Sequence, residues 1–275
     1  MKFLKRSYLL AGALMFTAST FSFAAMEAGD VKVYRLKGKA EVRDESTGEQ
    51  RILQTNDIFS QGHTVITSND SSVYLLLSNG SAVNLAANSS LSITTFTQEP
   101  FNGARGRFNV IRGDPSVSDT ILTLNYGDVV GRVKNLKDQS NYQVASPVGT
   151  ANIRGTTWRV SFREGEGTLI MEIENVDGDV DAVTAEAGAE FQDVASGTIF
   201  EIRVQAGEYE VITGRLSGSQ MAAIQAAIQL VPGIGLEVGE GIEEEPPLQI
   251  IEVLLPDTTD PRVIDTTLIS PDGSS

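Results

Sequence analysis

Any metal site in this 275-residue chain has to be built almost wholly from oxygen ligands, because the sequence contains no Cys and His63 is its only imidazole. That composition removes thiol nucleophiles, disulfide frameworks and zinc ribbons. A Ser-His-Asp triad would have to run through His63, and no Gly-x-Ser-x-Gly segment accompanies it. Oxygen ligands are plentiful: Asn175, Asp177, Asp179 and Asp181 alternate along one stretch, and Glu186 stands at the twelfth position counted from Asn175. The spacing resembles the opening of a calcium loop, but the sixth position, which must turn sharply on Gly, is Val180. Gly178 falls at the fourth position, where an Asp-Gly hairpin turn accounts for it. With 36 acids present, a carboxylate pair for glycoside hydrolysis has candidates but no distinguished members, which makes a carboxylate-based hydrolase the third reading of function. No cofactor is expected, and the metal line rests on the four residues from Asn175 to Asp181 alone.

The surplus of acids over 21 bases gives a net charge of −15, which opposes the counterion release that drives binding to a phosphate backbone, so nucleic acid is not an expected partner. Lys2, Lys5 and Arg6 precede the apolar stretch 8–16, and Ser22-Phe23-Ala24 supplies a small-x-Ala cleavage pattern. Residues 1–24 are therefore expected to be a signal peptide, with the mature chain beginning near Ala25 in the periplasm or outside the cell. Those 24 residues hold three bases and no acid, so the exported chain would carry 18 bases against 36 acids, a net of −18. No later segment offers the roughly 18 to 20 continuous apolar residues of a membrane helix.

The elements that must position these groups are strands. From residue 29 to about 215, short alternating runs are broken by turn residues every eight to twelve positions, the pattern of a many-stranded all-β domain. Strands are predicted at 31–36, 39–43, 64–67, 72–78, 81–85, 90–96, 119–125, 128–134, 141–145, 156–163, 167–174, 179–184, 198–205 and 208–213. Asn79-Gly80 between two of them predicts a tight type I′ hairpin. Gly-Asp before a β run, at Gly29-Asp30, Gly127-Asp128 and Gly178-Asp179, is read as shared turn chemistry. A helix is predicted over 217–231, with Met221, Ile224, Ile228 and Val231 on one face packing on the domain and Pro232-Gly233 ending it. Beyond it, residues 231–275 hold ten acids, one base and six prolines, and are expected to be extended or disordered, with Leu248 to Leu255 the one stretch able to form a further strand.

The segment from Ser146 to Val160, containing Pro147 and Ile153-Arg154-Gly155-Thr156-Thr157-Trp158, is similar to the closing signature of the FecR domain. Earlier motifs of that family are met in order by Gly62-His63-Thr64-Val65-Ile66-Thr67, by the hairpin around Asn79-Gly80, and by 124–133 with its Gly127. Ser146 replaces the usual Thr and Trp158 the usual Phe. The resemblance covers roughly 55–185 and implies a twisted β-sandwich or short β-roll. Its flanks are read as N-terminal strands (25–54), additional strands (186–216), the helix (217–231) and the acidic tail (232–275). The resemblance also implies an exported interaction or sensing module of the envelope with a protein partner. The regulators of the family hold a sigma factor through a cytoplasmic segment, and with a signal peptide in that place no anti-sigma activity is expected. The alternative is a structural or adhesive surface protein whose acidic tail is a spacer or a calcium-dependent attachment.

Within the signature, Arg154 is expected to be a buried lock, its planar fork bonded to carbonyls or to Asp57 or Asp128, with Gly155 permitting the bend between one strand and the next. Trp158, Val160 and Phe162 alternate on one face and are expected in the core.

Overall fold

The computed structural model describes residues 25–101, 114–134 and 136–229. The expected signal peptide, Val231 and the acidic tail with Leu248 to Leu255 lie outside the described residues.

Sixteen strands and one helix succeed one another in chain order. They are β1 (Glu27–Ala28), β2 (Val31–Lys37), β3 (Ala40–Asp44), β4 (Gln50–Ile52), β5 (Ile58–Phe59), β6 (His63–Thr67), β7 (Ser72–Leu77) and β8 (Ala82–Leu85). Then come β9 (Ser90–Gln98), β10 (Ser118–Arg132), β11 (Asn141–Ser146), β12 (Gly149–Gly165), β13 (Thr168–Thr184), β14 (Gln192–Asp193), β15 (Thr198–Gln205), β16 (Glu208–Arg215) and α1 (Gly218–Gln229). The all-β expectation holds, and the strands form one sheet folded on itself into two layers.

Three long strands are shared by both layers. The second half of β10 pairs with β8 and with the second half of β12, which pairs with the first half of β13, extending through β15 to β16 on one side and through β7 and β2 to β5 on the other. The first half of β10 pairs with β9 and, in parallel, with β11; from there the second layer runs through β6 and β3 to β4, and through the first half of β12 to the end of β13 and β14. Each shared strand changes layer at a glycine in the left-handed region: Gly127 at φ 93°, Gly155 at φ 64° and Gly178 at φ 78°. Only Gly enters that region without strain, and it lets a strand bulge and turn.

The sequence expectation is corrected at three places. Gly127-Asp128 and Gly178-Asp179 are bends inside continuous strands, so 119–125 with 128–134 and 167–174 with 179–184 are two long strands and not four. Ile153-Arg154-Gly155-Thr156 is likewise the middle of β12, which begins at Gly149. Asn79-Gly80 does close a hairpin, but only Gly80 has positive φ, and Gly80 N–H donates to the Leu77 carbonyl while Leu77 N–H donates to that of Ser81. The connection is a three-residue loop with a left-handed closing Gly, not a type I′ turn. Two-residue turns with both φ positive occur at Glu166-Gly167 and Ala206-Gly207.

The main core lies between the layers, where Val33, Leu75, Val83, Trp158, Val160, Met171 and Phe200 of the first meet Val65, Leu91, Phe96, Leu122, Tyr142, Ile153 and Val180 of the second. A smaller cluster on the outer face of the first layer is made by Tyr74, Leu76, Ala82, Val130, Val176 and Leu216 under Ile224 and Ile228 of α1. The helix thus covers its own domain, as its single apolar face predicts. Ser217 and Gln220 form a capping box: Gln220 N–H donates to Ser217 Oγ at 3.2 Å and Ser217 N–H to Gln220 Oε1 at 2.9 Å. At the other end Asn84 Nδ2 donates to the Ala227 carbonyl at 3.2 Å.

Candidate functional site

Of the residues singled out in the sequence, Ile153 to Trp158 and Asn175 to Asp179 lie around the bends of β12 and β13, whereas Gly62-His63, Asn79-Gly80 and Pro147 lie elsewhere in the sheet. Ile153 and Trp158 are fully buried. The indole lies flat against Gly131, where any Cβ would overlap it, and tilts against Tyr142 with ring centroids 6.2 Å apart. Thr156 is buried, Pro147 is exposed in the β11–β12 turn, and Arg154 between them is exposed with no ion pair or side-chain hydrogen bond among the described residues. The expected Arg154 lock is therefore absent. The physical reason is parity: Ile153 must face the core, so Arg154 points away from it before the bulge at Gly155 resets the alternation.

The lock exists five residues further on, at Arg159. Trp158, Val160 and Phe162 face the core, so Thr157, Arg159, Ser161 and Arg163 share the outer face of the first layer. There Arg159 bonds Asp128 on β10 and, at 2.9 Å, Glu174 on β13. Glu174 has a side chain only 3% exposed, against 34% for Arg159 and 37% for Asp128. Burial raises the Glu174 carboxyl above its ordinary value, and Arg159 offsets this only in part. Burial pushes the Arg159 guanidinium down, but Asp128 and Glu174 outweigh it and hold the charge. Beside them Arg163 forks onto Glu172 at 2.6 and 2.9 Å, and Ser161 donates to the same carboxylate at 3.0 Å. These bonds hold the Glu172 carboxyl below its ordinary value despite its burial, Arg163 contributing most. Of the two partners proposed for Arg154, Asp128 is taken by Arg159 and Asp57 by Arg51 at 2.6 Å. A shallow pocket of about 300 Å³ opens next to this network, bordered by Tyr126, Asp128, Ser161 and Arg163. The sequence signal for Arg159 was present in the same alternation that marks Trp158 and Val160 as core.

Two of the four calcium candidates, Asn175 and Asp177, are engaged at the bulge. Asp177 Oδ1 accepts from Thr157 N–H at 2.6 Å, while Asn175 Nδ2 donates to the carbonyls of Gly178 at 3.0 Å and Val194 at 2.7 Å. Gly178, read as a hairpin turn, instead sits against Gly155, where a Cβ would come within 2.6 Å of the Gly155 carbonyl oxygen. Asp179 and Asp181 stand further along β13, and no group of three or more His, Asp or Glu is placed to hold a metal among the described residues. The earlier motif is equally structural. Gly62 turns at φ 82° into β6, and His63 places Nδ1 3.1 Å from the Ser60 carbonyl with its ring against Phe59. Thr67 Oγ1 donates to the Ala86 carbonyl at 2.5 Å and accepts from Ser89 N–H at 3.0 Å, and buried Asn79 donates to Ser118 and Thr120 at 3.3 and 3.2 Å.

Sequence reasoning missed a second polar cluster, at the end of the sandwich beside Asn79. Asp114 is nine-tenths buried, with Oδ2 accepting from Ser118 Oγ at 3.2 Å and from Ser140 Oγ, and with Oδ1 lacking a partner. Burial pushes this carboxyl up, and the two hydroxyls only partly compensate. A lone Asp carries no sequence signal of burial.

In this two-layered sheet the long strands bend at glycines, and Ile153, Thr156 and Trp158 of the signature are buried. Residues 63–181 match the family FecR, described as FecR protein, and the chain carries a FecR domain. Two crystal structures of a "putative anti-sigma factor" from Parabacteroides distasonis ATCC 8503 are similar to it, each at 12% identity and a TM-score of 0.42 over 58% of this chain. The match spans 63% and 62% of those chains, less than two thirds of their length. No curated protein matches the chain.

Proposed function

We propose that this protein is a non-enzymatic sensing or interaction module of the cell envelope, exported to the periplasm or the cell surface, that binds a protein partner and lacks anti-sigma activity. The observation that carries the reading is the FecR domain at 63–181, whose family consists of regulators. The hydrogen bonding of the motif polar groups supports it: His63, Thr67, Asn79, Asn175 and Asp177 are engaged by backbone or neighbouring hydroxyls, as residues of a scaffold would be. Among the described residues no helix is long and apolar enough to cross a membrane. The export reading of residues 1–24 sets sigma-factor capture aside.

Site-specific photocrosslinking in living cells from Tyr126, exposed at the rim of the pocket, tests the proposal together with fractionation. The expected product is an adduct with an envelope protein that disappears when residues 1–24 are removed. Retention of the intact chain in the cytoplasm, or an adduct with a sigma factor, overturns it.

A further inference from the structure

The cations of this acidic protein are unevenly placed. Lys32, Arg35, Lys37 and Lys39 fall within eight residues, and no acid lies between Asp30 and Glu41. In the fold Lys32, Arg35 and Lys37 gather on the outer face of β2, and Lys39 follows in the link to β3. Lys32 is opposite Leu76 and Arg35 opposite Tyr74, both residues of the outer cluster, and a register shift between Val33 and Arg35 turns Arg35 outward after Val31 and Val33 have faced the core. The Arg35 guanidinium lies 6.0 Å from the centre of the Tyr74 ring. The adjoining elements β7, β8 and α1 contain no charged residue at all. Arg35, Lys37 and Lys39 form no ion pair among the described residues. Beyond residue 32, β2 has no strand on its outer side, since β5 pairs only with Val31 and Lys32.

The chain leaves its last described element toward this face. α1 starts near β15, where Met221 approaches Gly197, and crosses to β8, where Asn84 holds the Ala227 carbonyl. From β8 to β2 is two strand spacings, about 10 Å. Residues 230–236, fully extended, span about 23 to 25 Å, enough to make that crossing. The stretch of chain immediately after them holds Glu237, Glu240, Glu243, Glu244 and Glu245, five acids and no base.

We propose that the acidic segment Glu237–Glu245 docks on the basic outer face of β2, against Arg35 and Lys37 and beside Lys39, and so masks this cationic surface until a partner displaces it. The occupant is identified by charge complementarity and by where the helix ends: the segment is tethered within reach, and tethering supplies a high effective concentration that weak surface ion pairs alone lack. The inference concerns a face separate from Tyr126 and the pocket, so it stands or falls independently of the proposed function.

Because the chain has no Cys, a single Gly241→Cys substitution gives a unique site for a nitroxide label on the full chain. Expected is selective broadening of the amide resonances of Arg35, Lys37 and Lys39 at about 0.1 M salt, and its loss at about 1 M, as the screening length falls from about 10 to about 3 Å. The triple substitution Glu243→Lys, Glu244→Lys, Glu245→Lys, which alters no described residue, should abolish the broadening. Adding Arg35→Glu, Lys37→Glu and Lys39→Glu should restore it. No broadening at low salt, or broadening that survives high salt or the Lys triple alone, overturns the proposal. So does broadening that appears only when nitroxide-labelled chain is mixed with isotope-labelled chain, since the occupant would then be the tail of a second copy. Where anionic vesicles bind the chain carrying the Lys triple no better than the original, the face is not masked and the regulatory part fails.

Discussion

Arg159→Ala tests the physical account of the outer face most directly. Removing one partner of a buried ion pair costs about 3 to 5 kcal/mol, because the survivor is left charged and desolvated. Here the survivor that matters is Glu174, 3% exposed, whereas the Asp128 half is 37% exposed and contributes at most about 1 kcal/mol. Water already reaches the guanidinium, 34% exposed, which places the expected loss near the lower end, about 3 kcal/mol. For a domain of this size that lowers the melting midpoint by roughly 6 to 12 °C near neutral pH. The sign of the pH dependence is determined by Glu174. Its carboxyl is already raised by burial, and without Arg159 it rises further, so the folded chain holds a proton that the unfolded chain has released. The deficit of the variant should therefore be largest at neutral pH and shrink on acidification through the folded-state pKa. Glu174→Gln in the same background removes the unpaired charge and should restore most of the midpoint. Denaturant and thermal unfolding followed by circular dichroism read all three chains. An unchanged midpoint in Arg159→Ala, or no recovery with Gln at 174, would refute the reasoning.

Three further outcomes are expected. Asp114→Asn should steepen the loss of stability on acidification: the raised Asp114 carboxyl lends stability below its ordinary value of 3.8 that is lost as pH rises through its folded value, which opposes the acid loss from lowered carboxyls such as Glu172, and unfolding midpoints measured at stepped pH check the slope. Gly178→Ala should cost about 2 to 4 kcal/mol, combining left-handed strain with a Cβ driven toward the Gly155 carbonyl, while Gly167→Ala, at φ 76° with nothing within 4 Å, should cost only about 1 to 2; paired denaturant melts compare them. Arg154→Ala, on an exposed side chain without an ion pair, should shift stability by less than about 0.5 kcal/mol, and a large loss would return the lock to that position.

Much of the scaffold was legible before any coordinates. Alternation placed Trp158, Val160 and Phe162 on one face and Met221, Ile224 and Ile228 on another, and both faces are buried or half-buried. That information is local: period 2 or 3.6 is a property of consecutive residues, so it survives without knowledge of the neighbours. Turn identity was less secure. Asn79-Gly80 pointed to a hairpin but to the wrong loop, whereas Glu166-Gly167 and Ala206-Gly207 adopt the mirror-image turn with the favoured Gly second but without Asn, Asp or Gly first, held there by the long ladders on either side.

What the sequence determined by itself was which side chains face inward along each strand, because that needs only the chain's own parity. What the tertiary structure decided was which strands are one strand and which charges meet. A glycine at φ > 0 reads alike in a turn and in a bend, and only the pairing of β10, β12 and β13 across two layers shows that Gly127, Gly155 and Gly178 continue their strands. Arg154 and Arg159 stand five residues apart with equal claim on Asp128, 31 residues distant from Arg159 in sequence. The claim is settled by register, Val130 lying opposite Arg159, and by the bulge at Gly155, which leaves Arg154 in solvent and turns Arg159 over Glu174, a carboxylate that folding removes from water.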